Sequence, residues 1–461
     1  MRFNNILGHT CLLLFFLFSF SAHAQDSGSS QISTIKYGTE NEIASLIQTL
    51  RNENADYLDN ELIALVNNTR NQKILSGVFG FFGDREKSGL EERAVRAIEE
   101  RDEEANETVL SAVDYLGKLK TAKAVPVLME LLENEERRFM NNSFRALGRT
   151  CSSDSNLAQQ TAEFLLDYYE NRDPGDEFRR EIITAMGATG SSVCVPLLAG
   201  IASNTDERPP LRIAALDAIS KIKDTDGLDA ILGCITTNDP NVRSAAVAAL
   251  GPFSGEEVDK AILDAFRDSF FRTRIAAAQS SRQRKLAAAV PYLKFRAERD
   301  DVPGVRDESI RALGEIAGSA SNEEAVSVLN ALFLERKNPD HVRILAADML
   351  MKNTGGKELT RVILELDEAK KKNQTALSNG FLKVVGETKT ENNKNEMEDL
   401  ARRFMQNGSV TEKLYGLDMA VNNNFKNLSA EIKTLSKEKN ESISRKAIRT
   451  AERLGIELGS E

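Results

Sequence analysis

The residues PNVRSAAVAALG, from Pro240 to Gly251, recur in outline along most of the chain. With Arg243 as position zero, the equivalent positions are Leu75, Val109, Met140, Arg179, Arg212, Arg274, Arg306, Arg343, Ser378 and Lys413, spaced by 31 to 39 residues. Two helices and their turns fill that length, and such a period marks a stack of like units in which each buries its neighbour's apolar face. Position +7 reads Phe82, Leu116, Leu147, Met186, Ile219, Leu250, Ser281, Leu313, Leu350, Val385 and Ala420, apolar in every unit but one. Position +8 is glycine in seven of the eleven units: Gly83, Gly117, Gly148, Gly187, Gly251, Gly314 and Gly386.

Each register position carries a physical expectation. Glycine after the last apolar turn is expected to take the left-handed conformation that closes a helix. Small residues at +3 (Ala112, Ser143, Ala215, Ala246, Ala277, Ser309, Ala346 and Gly416) are expected to let helices of adjacent repeats come close. Position +5 changes in type and sign, through Arg145, Thr184, Asp217, Ala248, Gln279, Arg311, Asp348, Lys383 and Asp418, as a solvent-facing row does. Asp239 before Pro240 reads as an N-cap with proline in the first turn, and Asp173-Pro174 and Asn338-Pro339 read likewise. Three partner helices begin Val-Pro, at Pro126, Pro196 and Pro291, where proline sacrifices no helical hydrogen bond. Only 10 prolines and no tryptophan occur, and after residue 25 no β-branched alternation bounded by turns is present, so the expected class is all-α. A basic helix over 442–455 suits a terminal repeat with one wet face.

The N-terminus fixes an expected compartment. One positive charge precedes the apolar run CLLLFFLFSF, and Ala22 and Ala24 precede Gln25. This pattern predicts a signal peptide over 1–24, cut between Ala24 and Gln25; the run is too short to span a bilayer. Residues 25–38 are polar and serine-rich, an expected flexible lead-in to a helical array over 39–456. Loss of Arg2 leaves 59 of the 60 basic residues against 70 acidic ones, a net charge of -11. An acidic, exported chain is ill-suited to nucleic acid, whose binding rests on phosphate neutralisation. The expected location is periplasmic or secreted, with no transmembrane segment in the mature chain. Cys151, Cys194 and Cys234 each lie in or beside an apolar helical run and are expected to be buried small hydrophobes, not a disulfide framework.

An arginine after a short loop, alanines at +2 and +3, Leu-Gly at +7 and +8 and a proline-bearing first helix resemble the HEAT repeat family, most of all its short bacterial units of about 31 residues. The resemblance is clearest from Arg179 to Leu350. It implies a right-handed α-solenoid, an α-α superhelix of about eleven or twelve HEAT-like helix pairs. It also implies a ladder in which the zero-position arginine bonds an aspartate a few residues earlier: Asp173 with Arg179, Asp206 with Arg212, Asp239 with Arg243, Asp268 with Arg274 and Asp301 with Arg306. Leu75, Val109 and Met140 break that pattern, so the first units depart furthest from the family.

Little in the sequence points to catalysis. His341, beside Asp340 at a helix start, is the one histidine left after signal removal. The iron-binding hydroxylases that resemble HEAT arrays use several His-Glu pairs, which this chain does not supply. No zinc, EF-hand, GxSxG or phosphate-loop spacing occurs, so no metal or cofactor is expected. HEAT-like bilin lyases are the nearest enzymes by repeat type, yet a shared repeat carries over no catalytic residue. Residues 267–311 hold eleven basic residues against six acids. Of these Arg282, Arg284, Lys285, Lys294 and Arg296 are the expected contacts for an acidic partner or anionic polymer. The run ILSGVFGFF, with Phe79 and Phe82, is either the core of an early repeat or an exposed docking face. The expected function is a non-catalytic, exported scaffold for protein partners in the cell envelope. A ligand- or polysaccharide-binding protein using the 267–311 patch, or a lyase-type enzyme, are the alternatives.

Overall fold

The structure, a computed structural model, describes residues 29–151, 154–172, 174–319 and 322–458. The expected signal peptide with Ala22, Ala24 and Gln25, and the aspartate Asp173, lie outside them. The chain forms two compact units that meet in sequence between Gly227 and Leu228. Among the described residues the regular structure is helical throughout.

The first unit contains α1 (Glu40–Glu53), α2 (Asp59–Asn67), α3 (Gln72–Asp84), α4 (Glu91–Glu99), α5 (Asn106–Leu119), α6 (Val125–Glu133), α7 (Arg137–Thr150), α8 (Ser155–Asn171), α9 (Asp176–Thr189), α10 (Val195–Ser203) and α11 (Pro209–Ile222). Residues 29–37, expected as flexible lead-in, are helical too, because Ile32 and Ile35 fall one turn apart and Ile35 is buried. The second unit contains α12 (Leu228–Cys234), α13 (Pro240–Ala249), α14 (Glu256–Ala265), α15 (Phe271–Arg284), α16 (Val290–Arg299), α17 (Pro303–Gly318), α18 (Glu323–Leu334), α19 (Asp340–Asn353), α20 (Leu359–Lys371), α21 (Thr375–Glu387), α22 (Lys394–Asn407), α23 (Val410–Asn423), α24 (Ser429–Ser436) and α25 (Glu441–Leu454). Within each unit every odd-numbered helix packs on the next odd one, and each even-numbered helix packs on the odd helix that comes after it. That is an α-solenoid, and the sequence repeat is its odd-numbered layer.

Burial explains the register. All eleven side chains at +7 are fully buried, Ser281 included, and the small residues at +3 are buried as well. No residue at +5 from Arg145 to Asp418 is buried. Eight units carry glycine, alanine or serine at +3, while Val78, Ile182 and Phe381 fill the same buried position in the other three. At Gly416 the close neighbours are Ala401, Phe404 and Met405 on α22, so +3 faces the even helix of its own pair and not the adjacent repeat.

The glycines at +8 do a different job from the one expected. Gly117, Gly148, Gly187, Gly314 and Gly386 lie inside their helices, and none of them has a positive φ. A Cβ added to Gly187 would sit 2.6 Å from Ala218 Cα, one on Gly117 2.8 Å from Ala146 Cβ, and one on Gly148 2.8 Å from Ala185 Cα. In each case position +8 of one repeat meets +6 of the next. Glycine is needed there because two backbones touch, not because a helix ends. The left-handed residue stands three places later, at Lys120, Gly190, Lys223, Lys285 and Asn424, each directly after the last helical residue. Gly251 likewise comes after α13 without a positive φ, and its missing side chain leaves room for Gln283.

The proline devices are divided. Asp239 caps α13, accepting from the N–H of Asn241 and Val242, and Pro126, Pro196 and Pro291 lie in first turns. Asn338 does not cap α19; its amide donates to the Leu332 carbonyl, and the helix starts after Pro339. The three cysteines are buried, and burial pushes the Cys151 thiol up and the Cys194 thiol up to about 12. Those thiols are inert filling. His341 is exposed in the first turn of α19.

Candidate functional site: an arginine–aromatic cleft in the second unit

The zero-position arginines form a ladder, displaced by one repeat from the expected pairing. Arg243 reaches forward to Asp268, donating from Nε at 2.9 Å and Nη2 at 3.1 Å, while its Nη1 holds the carbonyls of Thr237 and Asn238 at 3.0 Å. Arg274 repeats this on Asp300, at 2.8 Å from both Nε and Nη2, and adds Asp301 at 3.0 Å. Each aspartate is already fixed by its own turn, since Asp268 accepts from the Phe270 N–H and Asp300 from the Val302 N–H. An arginine therefore binds the turn of the next repeat through a bidentate pair. Burial pushes the carboxyls of Asp268 and Asp300 up, but the bonds from Arg243 and Arg274 and from those N–H groups outweigh it and hold both below the usual range. Asp239 caps its helix and so stands outside the expected pair with Arg243. Arg306 donates to the Asp300 carbonyl at 2.7 Å, Arg212 to the Ala202 carbonyl at 2.9 Å, and Arg343 to Phe333 O and Glu365. Arg179 Nη1 lies 3.9 Å from Glu207.

The ladder fixes the turn after α14 against α16, and a cleft of ≈ 270 Å³ opens there, lined by Phe266, Arg267, Pro291, Tyr292, Phe295 and Arg296. Pro291 lies in the first turn of α16, and Tyr292, Phe295, Arg296 and Arg299 fall at i, i+3, i+4 and i+7, one stripe of a helix. Phe266 and Tyr292 stack with centroids 5.7 Å apart. The Arg267 guanidinium lies 5.2 Å above the Tyr292 ring, 3.4 Å from the phenol oxygen and 3.0 Å from Asp264 Oδ1. Arg296 donates to the Phe266 carbonyl and, at 3.3 Å, to Asp300 Oδ2, which ties the cleft wall to the ladder. The Phe295 ring is 51% exposed, with the guanidinium carbons of Arg296 and Arg299 5.4 and 6.0 Å from its centroid. At the start of α15, Phe271 is partly exposed and Arg272 lies 5.8 Å from its ring.

The expected contact residues thus separate. Phe79 and Phe82 are fully buried in the first unit, Phe79 against Tyr115 at 5.8 Å, so they are core and not docking face. Their run lies on α3, which packs on both α1 and α5 and has no free side for so wide a stripe. Arg282 and Arg284 lie at the far end of α15, about 18 Å along the helix from Arg272, and are committed to acids. Arg282 Nε comes within 3.0 Å of Glu308 Oε1 without the alignment of a hydrogen bond, and Arg284 pairs with Asp259. Burial pushes the Glu308 carboxyl up, against Arg282 and Arg311. Lys285 ends α15 with an exposed side chain, Lys294 is exposed on α16, and Arg296 is half-buried in the cleft wall. Charge counting missed Phe266, Tyr292 and Phe295. The signal was present in the interleaving of rings and arginines through FRDSFFR and YLKFRAER.

No helix of the described residues is long and apolar enough to cross a membrane. Among solved structures, Kap121p is similar over 89% of this chain and 49% of its own, at 11% identity and a TM-score of 0.44. Kap121p bound to Nup53p is similar over 93% and 57%, at 11% identity and a TM-score of 0.48. Human deoxyhypusine hydroxylase in complex with glycerol is similar over 57% of this chain and 97% of its own, at 18% identity and a TM-score of 0.26. The chain spans about half the length of the Kap121p structures it matches. Among curated proteins none matches. The family model described as "Spirochaete HEAT repeat protein" matches residues 35–450, nearly the whole of the two helical units. By that match, and by the buried register that produces it, the chain belongs to the spirochaete HEAT repeat proteins.

Proposed function

We propose that this chain is an exported, non-catalytic scaffold that binds other proteins of the cell envelope along its repeat surface. The observation that carries the reading is the composition of the cleft: exposed and half-exposed aromatic rings held among arginines, the residue types that dominate protein contact surfaces. The rings and arginines are already in place, so little side-chain freedom remains to be lost on binding. Export is supported by the apolar run before Ala22 and Ala24 and by the net acidic charge of the chain from Gln25 onward.

The test has two parts. The full chain, expressed in its native host, is expected in the envelope fraction with Gln25 as its first residue by mass spectrometry. A cytoplasmic chain that retains residues 1–24 would remove the compartment from the proposal. Photocrosslinkers placed singly along exposed +5 and even-helix positions are expected to yield discrete adducts with protein. Adducts with none, at any position, would remove the scaffold reading itself.

A further inference from the structure

We infer that the cleft between α14 and α16 is a docking site for a short acidic segment of a partner protein, one that carries a single apolar side chain between its carboxylates. This rests on the scaffold reading above and gives it a site and a partner chemistry.

Three observations lead there. The first is charge. Asp268 and Asp300 are consumed by Arg243, Arg274 and Arg296, so they do not neutralise the surface above them. Arg267 and Arg296 line the cleft and no acid does. Arg299, exposed and without an ion pair among the described residues, lies 6.0 Å from the Phe295 ring, against the exposed Glu298 on the same helix and Asp301 after it. In a chain of net charge -10 this is a cationic rim, and it favours an anionic partner. The second is the floor. Phe266, Tyr292, Phe295 and Pro291 make it aromatic, so it rewards burial of an apolar group that a plain anion does not have. The third is size. A volume of ≈ 270 Å³ lies below the roughly 300–1,000 Å³ of small-molecule pockets and holds one large side chain. An anchor residue flanked by carboxylates satisfies rim, floor and volume together. A uniform polyanion satisfies the rim alone.

The geometry also gives each residue a role. Phe295, with half its ring exposed, receives the anchor, and Tyr292, fixed by Phe266 and Arg267, forms the opposite wall. Arg299, one turn beyond Phe295, and Arg267, over the Tyr292 ring, put a cation at either end of the cleft for carboxylates on both sides of the anchor. Arg296 positions the wall through the Phe266 carbonyl and Asp300 and is not a free contact.

The experiment uses the full mature chain and fluorescence anisotropy. Three labelled probes are compared: a short peptide of aspartates and glutamates with one central phenylalanine, the same peptide with serine at the centre, and polyglucuronate. The first is expected to bind, the second to bind more weakly by about tenfold, as befits loss of an anchor. Phe295→Ala is expected to erase that difference, and R267E with R299E to abolish binding of both peptides. Lys285→Glu, at the far end of α15, is the charge control and is expected to leave binding unchanged. Circular dichroism and melting of each variant confirm that these exposed substitutions leave the helices formed. Equal binding of the two peptides, or of polyglucuronate, with no effect of Phe295→Ala would overturn the inference in favour of a plain anion site. Absence of peptide binding overturns it too. In that case, crosslinked protein adducts elsewhere on the array but not at position 295 leave the scaffold reading standing, so the two failures are distinguishable.

Discussion

The helices α3 to α8 of the first unit and α13 to α17 of the second keep one register but are held together differently. In the first, the odd-numbered layer is rich in large buried rings, Phe79, Phe81, Phe82, Tyr115, Phe139 and Phe144, and Tyr168 of α8 meets Phe144 edge to face at 5.3 Å. Arg85 adds a stack on Phe81 at 3.8 Å. The buried pair Arg93–Glu104, at 2.7 Å, ties α4 to the loop after it and does not join one repeat to the next. In the second, the same layer is lined by Ala246, Ala249, Ala276, Ala277, Ala278, Ser280 and Ser281. Such residues bury little apolar area, and the Arg243–Asp268 and Arg274–Asp300 pairs join the turns instead. Turn-to-turn pairing is not absent from the first stretch, where Arg101 after α4 bonds Glu136 before α7. There it stands beside buried rings, so a period can be kept while the weight of the cohesion moves from apolar toward ionic.

The widest test of that difference is to remove one member of each kind. Phe82→Ala is expected to cost about 4 kcal/mol, because removing a fully buried ring beside Phe81 leaves a cavity that the helices cannot close. Hydrogen exchange should show protection lost in α3 and α5, by the same amount at low and high salt. A cost below about 1 kcal/mol would mean that the aromatic layer is not what holds the first unit.

Next in size is the ladder. Arg274→Ala leaves the fully buried Asp300 carboxylate with only the longer Arg296 bond and the Val302 N–H and is expected to cost about 3 kcal/mol, with protection lost in α15 and α17. The acid response has a definite sign. Asp268 and Asp300 have folded pKa values below their unfolded ones, so the stability they contribute is complete above the unfolded value, near 4. It is lost as pH falls through the folded values. In the first stretch burial pushes the Glu136 carboxyl up, but Arg101 and Arg138 hold it below the usual range, so one such acid there stands against two in the second. Exchange at about pH 3 should therefore loosen α13 to α17 more than α3 to α8, and Arg274→Ala should flatten that dependence. Equal acid sensitivity in both stretches would break the comparison.

How much of this the sequence disclosed depended on what a position must exclude. Position +7 was legible because a buried site admits almost only apolar side chains, and Ser281 stood out for the same reason. The glycines were legible as a row but not as a cause, because a left-handed cap and a backbone contact both select glycine. The meeting of +8 with +6 of the next repeat separates these causes, and no local window contains both. The ladder's arginines were readable, but the acids they bind lie 25 or 26 residues ahead, beyond the few residues over which a pairing is guessed. The cleft was the least visible. Its rings sit on an even-numbered helix, off the repeating layer, and a partly exposed phenylalanine has the same letter as a buried one.

The smallest effect concerns a feature common to the two stretches. Lys120 in the first and Lys285 in the second both close an odd-numbered helix with positive φ, at 54° and 52°, although lysine is disfavoured there by contact between its Cβ and the backbone. Lys120→Gly and Lys285→Gly should each raise stability by about 0.5–1 kcal/mol, read as a shift in urea midpoint without a change of slope. The cap is a backbone event, independent of whether rings or arginines bind the layers, so the two gains should agree. Gly190→Ala, at φ 71° with nothing near its missing Cβ, should lose a similar amount through backbone strain alone. A gain at Lys285 but not at Lys120 would mean that the caps differ as the layers do, and the shared register would then reach less far than position +11.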